Sequence, residues 1–333
     1  MDLEMPDKLN VAVVGTGYWG KNLLRNFNDL GVLYAFCDAE ESRRSEHGPN
    51  YPLAKSYGAY TDVLADRNVN AVAISTPAAT HGTLVRQALG AGKNVFVEKP
   101  LCLEVEDAES LRDLALSLDL TLMVGHLLLY HPAFRAVKEF VDAGKLGRLR
   151  YIYSNRLSLG KIRKEENALW SFAPHDISMI LSLTGRMPEK ITATGGQYLH
   201  DGVADTTLSH LSFTDNLQAH IFVSWLHPYK DHRMVVIGDQ GMVAFNDAVQ
   251  GEQKVLSYPH TVGWDGGVPF VSKAEAVPIP YGAEEPLKLE CMAFVGAVKN
   301  GTTPPSDANE GLRVLKVLDA CQKAISEGTP VHF

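Results

Sequence analysis

The chain has 333 residues, 45% of them hydrophobic and 21% charged, the make-up of an ordinary globular protein rather than a disordered or fibrous one. Its formal net charge of -8 leaves no basic footprint for a nucleic acid, and its apolar runs are too short to span a bilayer. One hydrophobic core seldom serves so long a chain, so two domains are expected.

The start, MDLEMPDKLN, is acidic and polar where an export signal would be basic and then apolar. Cys37, Cys102, Cys291 and Cys321 form no C-x-x-C pair. That spacing argues against a disulfide framework and against a structural metal, and it suits reduced thiols in a cytoplasmic protein.

In chain order, short apolar runs predict strands over 11–14, 32–37, 71–74, 95–97 and 122–124. Amphipathic stretches over 18–30, 83–91 and 105–118 predict helices between them. Near-continuous apolar strands alternating with helices indicate a parallel sheet covered on both faces. A domain boundary is placed near Gly125, giving domains over 1–125 and 126–333. Beyond it a helix is predicted over 132–143 and a strand over 149–157. Leu217, Ala219, Ile221, Val223 and Trp225 alternate with Gln218, His220 and Ser224, the period of a strand with one buried face. MVVIGDQGMVAF reads as two strands joined by a hairpin, and helices over 286–299 and 309–326 close the chain. The fold class expected is therefore an α/β Rossmann domain followed by an α+β domain with a large, mostly antiparallel sheet. The sheet's uncovered apolar face suggests a homodimer or homotetramer.

Gly15-Thr-Gly17-Tyr18-Trp19-Gly20 fits the G-x-G-x-x-G template, after a predicted strand and opening a predicted helix. Gly15 permits a tight turn, Gly17 lets backbone approach a pyrophosphate, and Gly20 lets helix and strand pack closely. The phosphates would rest on the helix's unpaired amides. Asp38 follows Gly20 by 18 residues, at the end of the second strand, where an acid accepts from ribose hydroxyls and repels a 2'-phosphate. NAD is thus preferred to NADP, although Arg43 and Arg44 lie close by. The run KNVFVEKPL ends in Glu98-Lys99-Pro100, which brings Lys99 out on the ligand-binding edge of the same sheet. Beside a cationic nicotinamide a lysine should release its proton readily and serve as acid or base.

The glycine loop, Ser75-Thr76-Pro77-Ala-Ala-Thr-His81 and, above all, Glu98-Lys99-Pro100 with its flanking Gly92-Lys-Asn-Val-Phe-Val resemble the Gfo/Idh/MocA oxidoreductases. The resemblance implies an NAD(P)-dependent dehydrogenase of sugar, polyol or nucleotide-sugar hydroxyls. It maps the catalytic lysine onto Lys99. It also implies cofactor contacts from Tyr18, Trp19, Ser75, Thr76, Pro77, His81 and Glu98, besides the glycines and Asp38.

In LWSFAPHDISMILSLTG, Pro174 suits a first helical position, which would put His175 in a first turn that favours neutral imidazole. A neutral histidine can take a hydroxyl proton, so Lys99 and His175 are the catalytic candidates. The family's helix usually reads Asp-x-x-x-His, and Ser171 stands here at the Asp position. That departure resembles the nucleotide-sugar 3-dehydrogenase branch. It implies NAD-dependent oxidation of the 3-hydroxyl of a UDP-linked N-acetylhexosamine, UDP-N-acetylglucosamine first, with an aminotransferase acting on the keto sugar in lipid A or surface-polysaccharide synthesis. Asn155, Arg156, Lys161, Arg163 and Lys164 could face the diphosphate, with Ser171 and His175 beside the sugar. The alternatives are a UDP-N-acetylglucosaminuronate 3-dehydrogenase, a free-sugar or inositol dehydrogenase, and a non-catalytic NAD-sensing regulator. His126, His131, His200 and His210 are left to structural roles.

Overall fold

The structure is a computed structural model that describes residues 9–164 and 166–333; the acidic start read above for export lies outside the described residues. The chain divides into two compact units. One runs to Leu127 and takes in Glu285–Leu315; the other comprises Leu128–Glu284 and Lys316–Phe333. The first unit is therefore not one contiguous stretch, as a division at Gly125 supposed.

In the first unit β1 (Val11–Val14), β2 (Leu33–Cys37), β3 (Lys55–Tyr57), β4 (Ala71–Ile74), β5 (Asn94–Glu98) and β6 (Leu122–Gly125) form a parallel sheet in the order β3-β2-β1-β4-β5-β6. Every residue of β1, β4 and β6 is buried, as expected of parallel strands covered on both faces. The helices between them are α1 (Gly20–Asp29), α2 (Glu41–His47), α3 (Tyr60–Ala65), α4 (Ala78–Gly90) and α5 (Val105–Ser117). Strand order reverses between β1 and β4, and the crevice beyond their carboxyl ends is where such sheets bind ligands.

The second unit begins with α6 (Pro132–Asp142), β7 (Leu149–Leu159) and α7 (Ala168–Thr184). There follow β8 (Lys190–Gly196), β9 (Thr206–Ser212), β10 (Gln218–Ser224), β11 (Leu226–Gly238), β12 (Met242–Asn246) and β13 (Val255–Tyr258). Then come β14 (Thr261–Asp265), β15 (Val268–Ser272) and β16 (Val277–Pro278), the helices α8 (Pro286–Asn300) and α9 (Ala308–Glu327), and β17 (Val331–His332). A nine-stranded sheet has the order β16-β13-β12-β11-β7-β10-β9-β8-β17, and β14 pairs with β15 alone. Its pairs are antiparallel except β10 with β7. The predicted hairpin is β11–β12, with Val235 opposite Ala244. Ile152, Ala219, Ile221, Val223 and Val236 are buried at 0–1% exposure on the face that meets α7.

The late helices separate. α8 returns to the first unit and packs on α1, where Phe294 meets Phe27 and Phe96 edge-on at centroid distances of 6.2 and 5.8 Å. The unit boundary falls inside α9, after Leu315. Among the described residues, no helix is long and apolar enough to cross a membrane.

Candidate active site

In the first unit the glycine loop is shaped for close backbone approach. Gly15 has φ +83°, and a Cβ built on Gly20 would lie 2.0 Å from the Gly15 carbonyl oxygen, so neither position accepts a side chain without backbone movement. Ser75, at the end of β4, donates its hydroxyl to that same carbonyl at 2.7 Å and so braces the loop rather than merely facing it. Tyr18 is 85% exposed at the loop's rim. At the positive end of α1, the loop fits a dinucleotide diphosphate.

Asp38 is buried at the end of β2. Its Oδ2 accepts from the Thr16 amide at 2.8 Å and the Thr16 hydroxyl at 3.1 Å, and its Oδ1 from the Glu40 amide at 3.0 Å. Burial works to raise the carboxyl's pKa, but these hydrogen bonds and Arg43 outweigh it and hold it below the usual carboxylate range. The anion is thereby fixed in place with lone pairs left for a ribose diol. Arg43 stands 3.6 Å from Asp38 and pairs with Glu40 at 2.9 Å, while its guanidinium lies 2.9 Å from where a Cβ on Gly17 would be. Arg44 donates to the Asp38 carbonyl at 2.6 Å. Arg43 was noted from sequence for its bearing on a 2'-phosphate, whereas Thr16 was not singled out. A hydroxyl residue between the first two glycines is the one signal that pointed to the clasp on Asp38.

Glu98 ends β5 opposite Gly125, with a cis peptide following Lys99. Its carboxylate accepts from the Trp19 indole and from the Lys99 amide, while burial pushes its pKa up to about 7 against those bonds. Thus it does not project into solvent; it joins the glycine loop to the strand end. His81 lies in the first turns of α4, 1% exposed, with Nδ1 2.7 Å from the Pro100 carbonyl oxygen and Nε2 2.8 Å from that of Thr76. A neutral ring donates only one of these bonds, and burial pushes its pKa down. Its ring thus bridges the two loops behind Thr76, Pro77 and Pro100 and is closed off from solvent.

The second unit carries His175 on α7. Pro174 is the seventh residue of that helix, not its first, and His175 the eighth, so the helix dipole cannot be credited with keeping this imidazole neutral. The interior proline removes the donor that would serve the Trp170 carbonyl. Ser171 and His175 are four residues apart and share a helix face. The next residue, Asp176, is wholly buried and anchors the turn: its carboxylate accepts from Arg156 Nε at 2.7 Å, Arg156 Nη2 at 3.1 Å and the Ser154 hydroxyl at 2.5 Å.

Arg156, expected among the substrate cations, is corrected by this geometry. β7 runs on to Leu159, Arg156 faces inward at 6% exposure, and both its Nε and Nη2 are committed to Asp176. Asn155 points the other way and donates to Asp231 at 3.0 Å. Lys161, Arg163 and Lys164 lie exposed on the loop into α7, with Arg163 3.0 Å from Glu166. Of the histidines set aside, His131 caps α6 through the Ala133 amide at 3.1 Å, and His126 Nδ1 lies 2.5 Å from Glu310.

Comparisons with known proteins give a family and several relatives. Residues 9–126 match the family described as "Oxidoreductase family, NAD-binding Rossmann fold", and residues 134–244 match "GFO/IDH/MocA C-terminal domain". A UDP-N-acetylglucosamine 3-dehydrogenase of Acidithiobacillus ferrooxidans is 26% identical over 92% of this chain and 94% of its own. A myo-inositol 2-dehydrogenase of Thermotoga maritima is 26% identical over 98% of both. The solved UDP-N-acetylglucosamine 3-dehydrogenase of A. ferrooxidans superposes with a TM-score of 0.84 at 24% identity, covering 96% of this chain and 98% of that one.

Proposed function

The chain belongs to the Gfo/Idh/MocA family of NAD-dependent oxidoreductases, and from that premise we propose that it oxidises the 3-hydroxyl of a UDP-linked N-acetylhexosamine, UDP-N-acetylglucosamine first among them. Bound NAD supplies the hydride acceptor. Loss of hydride from C3 and of the proton from its hydroxyl leaves a ketone, NADH and a proton. Either Lys99 or His175 takes the proton, and Asp38 with the Gly15–Gly20 loop holds the dinucleotide.

The observation that carries the substrate reading is the exposed cationic run Lys161, Arg163 and Lys164 leading into the His175 helix. A diphosphate uses such charges; a neutral polyol has no need of them. The relative of matching activity, alike over nearly the full length of both chains, supports the same reading. A second reading, oxidation of a free polyol, is favoured by the equal identity of the inositol dehydrogenase. In the first reading the keto sugar passes to an aminotransferase, and the protein works as a cytoplasmic homo-oligomer.

The test is NADH formation with NAD and a panel of UDP-N-acetylglucosamine, its uronic acid, free N-acetylglucosamine and myo-inositol. Turnover confined to the nucleotide sugars is expected; turnover with the free sugar or inositol alone rejects the reading. Lys99→Ala should cut kcat by roughly 10²–10⁴-fold, the usual worth of general acid–base catalysis, with NADH still bound. An NAD-sensing regulator would show no turnover for the substitution to remove.

A further inference from the structure

The first unit buries a carboxyl group that the proposed chemistry does not use. Glu290 sits on α8 on the core stripe it shares with Leu287, Cys291 and Phe294, and it is 0% exposed. Neither of its carboxyl oxygens has a hydrogen-bond partner. The surrounding wall is apolar, with Phe294 edge-on to Phe27 and Phe96. An ionised carboxylate without partners in such a place is prohibitively costly, so the group neutralises instead. The nearby charge of Glu98 adds to the effect of burial, and both drive Glu290 well above the normal carboxyl range.

Glu98 is the contrasting member. It accepts from the Trp19 indole on the glycine loop, and its Oε2 lies 2.9 Å from where a Cβ on Gly125 would be, so the absence of a side chain there gives the carboxylate room. The charged and titratable groups facing it are few. They are Lys99 on its own loop, His126 just after β6, itself against Glu310 of α9, and Glu290 with Cys291 on α8.

We propose that Glu98 and Glu290 form a buried carboxyl pair carrying one negative charge, on Glu98, with Glu290 protonated behind it. Glu98 is then a positioning residue: its carboxylate grips the Trp19 indole and fixes the nucleotide loop to the strand end that bears Lys99. The inference rests on the dehydrogenase reading only in naming Lys99 as what is so positioned.

The emission and infrared measurements use the full chain without cofactor or substrate, and NADH binding needs no substrate, so failure of the pair is distinguishable from failure of the substrate reading. Trp19 emission, taken as the difference between the protein and its Trp19→Phe variant, is followed across the neutral range. A titration centred near pH 7 is expected; Glu98→Gln should abolish it and Glu290→Gln should keep it. Infrared spectra taken well above pH 7, where Glu98 is ionised, should show a protonated-carboxyl band that Glu290→Gln removes. NADH should bind about fivefold more weakly to Glu98→Gln, since an amide acceptor makes a weaker bond than a carboxylate. Emission titration surviving in Glu98→Gln would assign it to another group and overturn the pair. An infrared band unchanged by Glu290→Gln, or NADH affinity unchanged by Glu98→Gln, overturns it equally. The infrared measurement on the unsubstituted chain stands even where a variant folds poorly.

Discussion

Asp176 and Arg156 show how far a single charge can mislead. In sequence, Arg156 begins a run of cations and reads as part of a phosphate-facing loop. In the fold it is the inward member of an alternating strand, and its partner lies 20 residues on, in a helix. Nothing local to Arg156 signals that pairing; the hint was Asp176 beside His175, a charge on a helix face otherwise made of Ile177, Ile180 and Leu181. The pair is buried at 6% and 0% exposure, and removing one partner of such a pair strands an uncompensated charge, at about 3–5 kcal/mol. Arg156→Met should therefore lower stability by that amount in urea denaturation, and Arg156→Met with Asp176→Leu should recover most of it. A loss below about 1 kcal/mol for the single variant, the scale of an exposed ion pair, would return Arg156 to the surface role first assigned to it. Asp38, by contrast, is where its sequence put it, buried just past the end of β2, 18 residues after Gly20.

Among the elements, the parallel strands were the easiest to read, because burial on both faces writes a continuous apolar run that few other structures produce. The edge strand β3, Lys-Ser-Tyr with its first two residues exposed, has no such run and left no trace. The short outer strands β13, β16 and β17 escaped for the same reason. α7 was read one proline too late, since Pro174 looks like a helix start and Asn167, the residue that does cap the helix by accepting from the Trp170 amide at 3.1 Å, lies well before it. α8 was found as a helix, but its periodicity says only that one face is buried, not against what. The structure puts Phe294 at 0% exposure between Phe27 and Phe96. Phe294→Ala should cost about 3–5 kcal/mol through lost burial and the cavity left behind, and NADH should protect the variant, as any ligand of the folded unit does. A change under 1 kcal/mol would mean that α8 contributes little to the first unit, contrary to the division of the chain.

For the whole molecule, the sheet of the second unit bears on assembly. Its inner face meets α7, whereas its outer face presents Phe222 opposite Leu208, which is 46% exposed, and Tyr153 opposite Val235, beside the polar Asn155 and His220. An antiparallel sheet with one solvated face ordinarily carries polar residues there, so this face is suited to a partner. The prediction is a second copy, since a two-fold contact requires only that a patch complement itself. A net charge of -8 opposes non-specific association, which leaves the apolar face to direct it. Phe222 lies opposite Leu208 on β9 and Asn155 on β7, near the middle of the strand order. Phe222→Glu would bring two carboxylates into one two-fold interface, where desolvation and like charge both act against them. Light scattering should then give a dimer or tetramer mass for the unsubstituted chain and a smaller mass for the variant, with little change in secondary structure because Phe222 faces away from the core. A monomeric mass for the unsubstituted chain, or an assembly indifferent to Phe222→Glu, would mean that this face meets solvent or something other than a second copy.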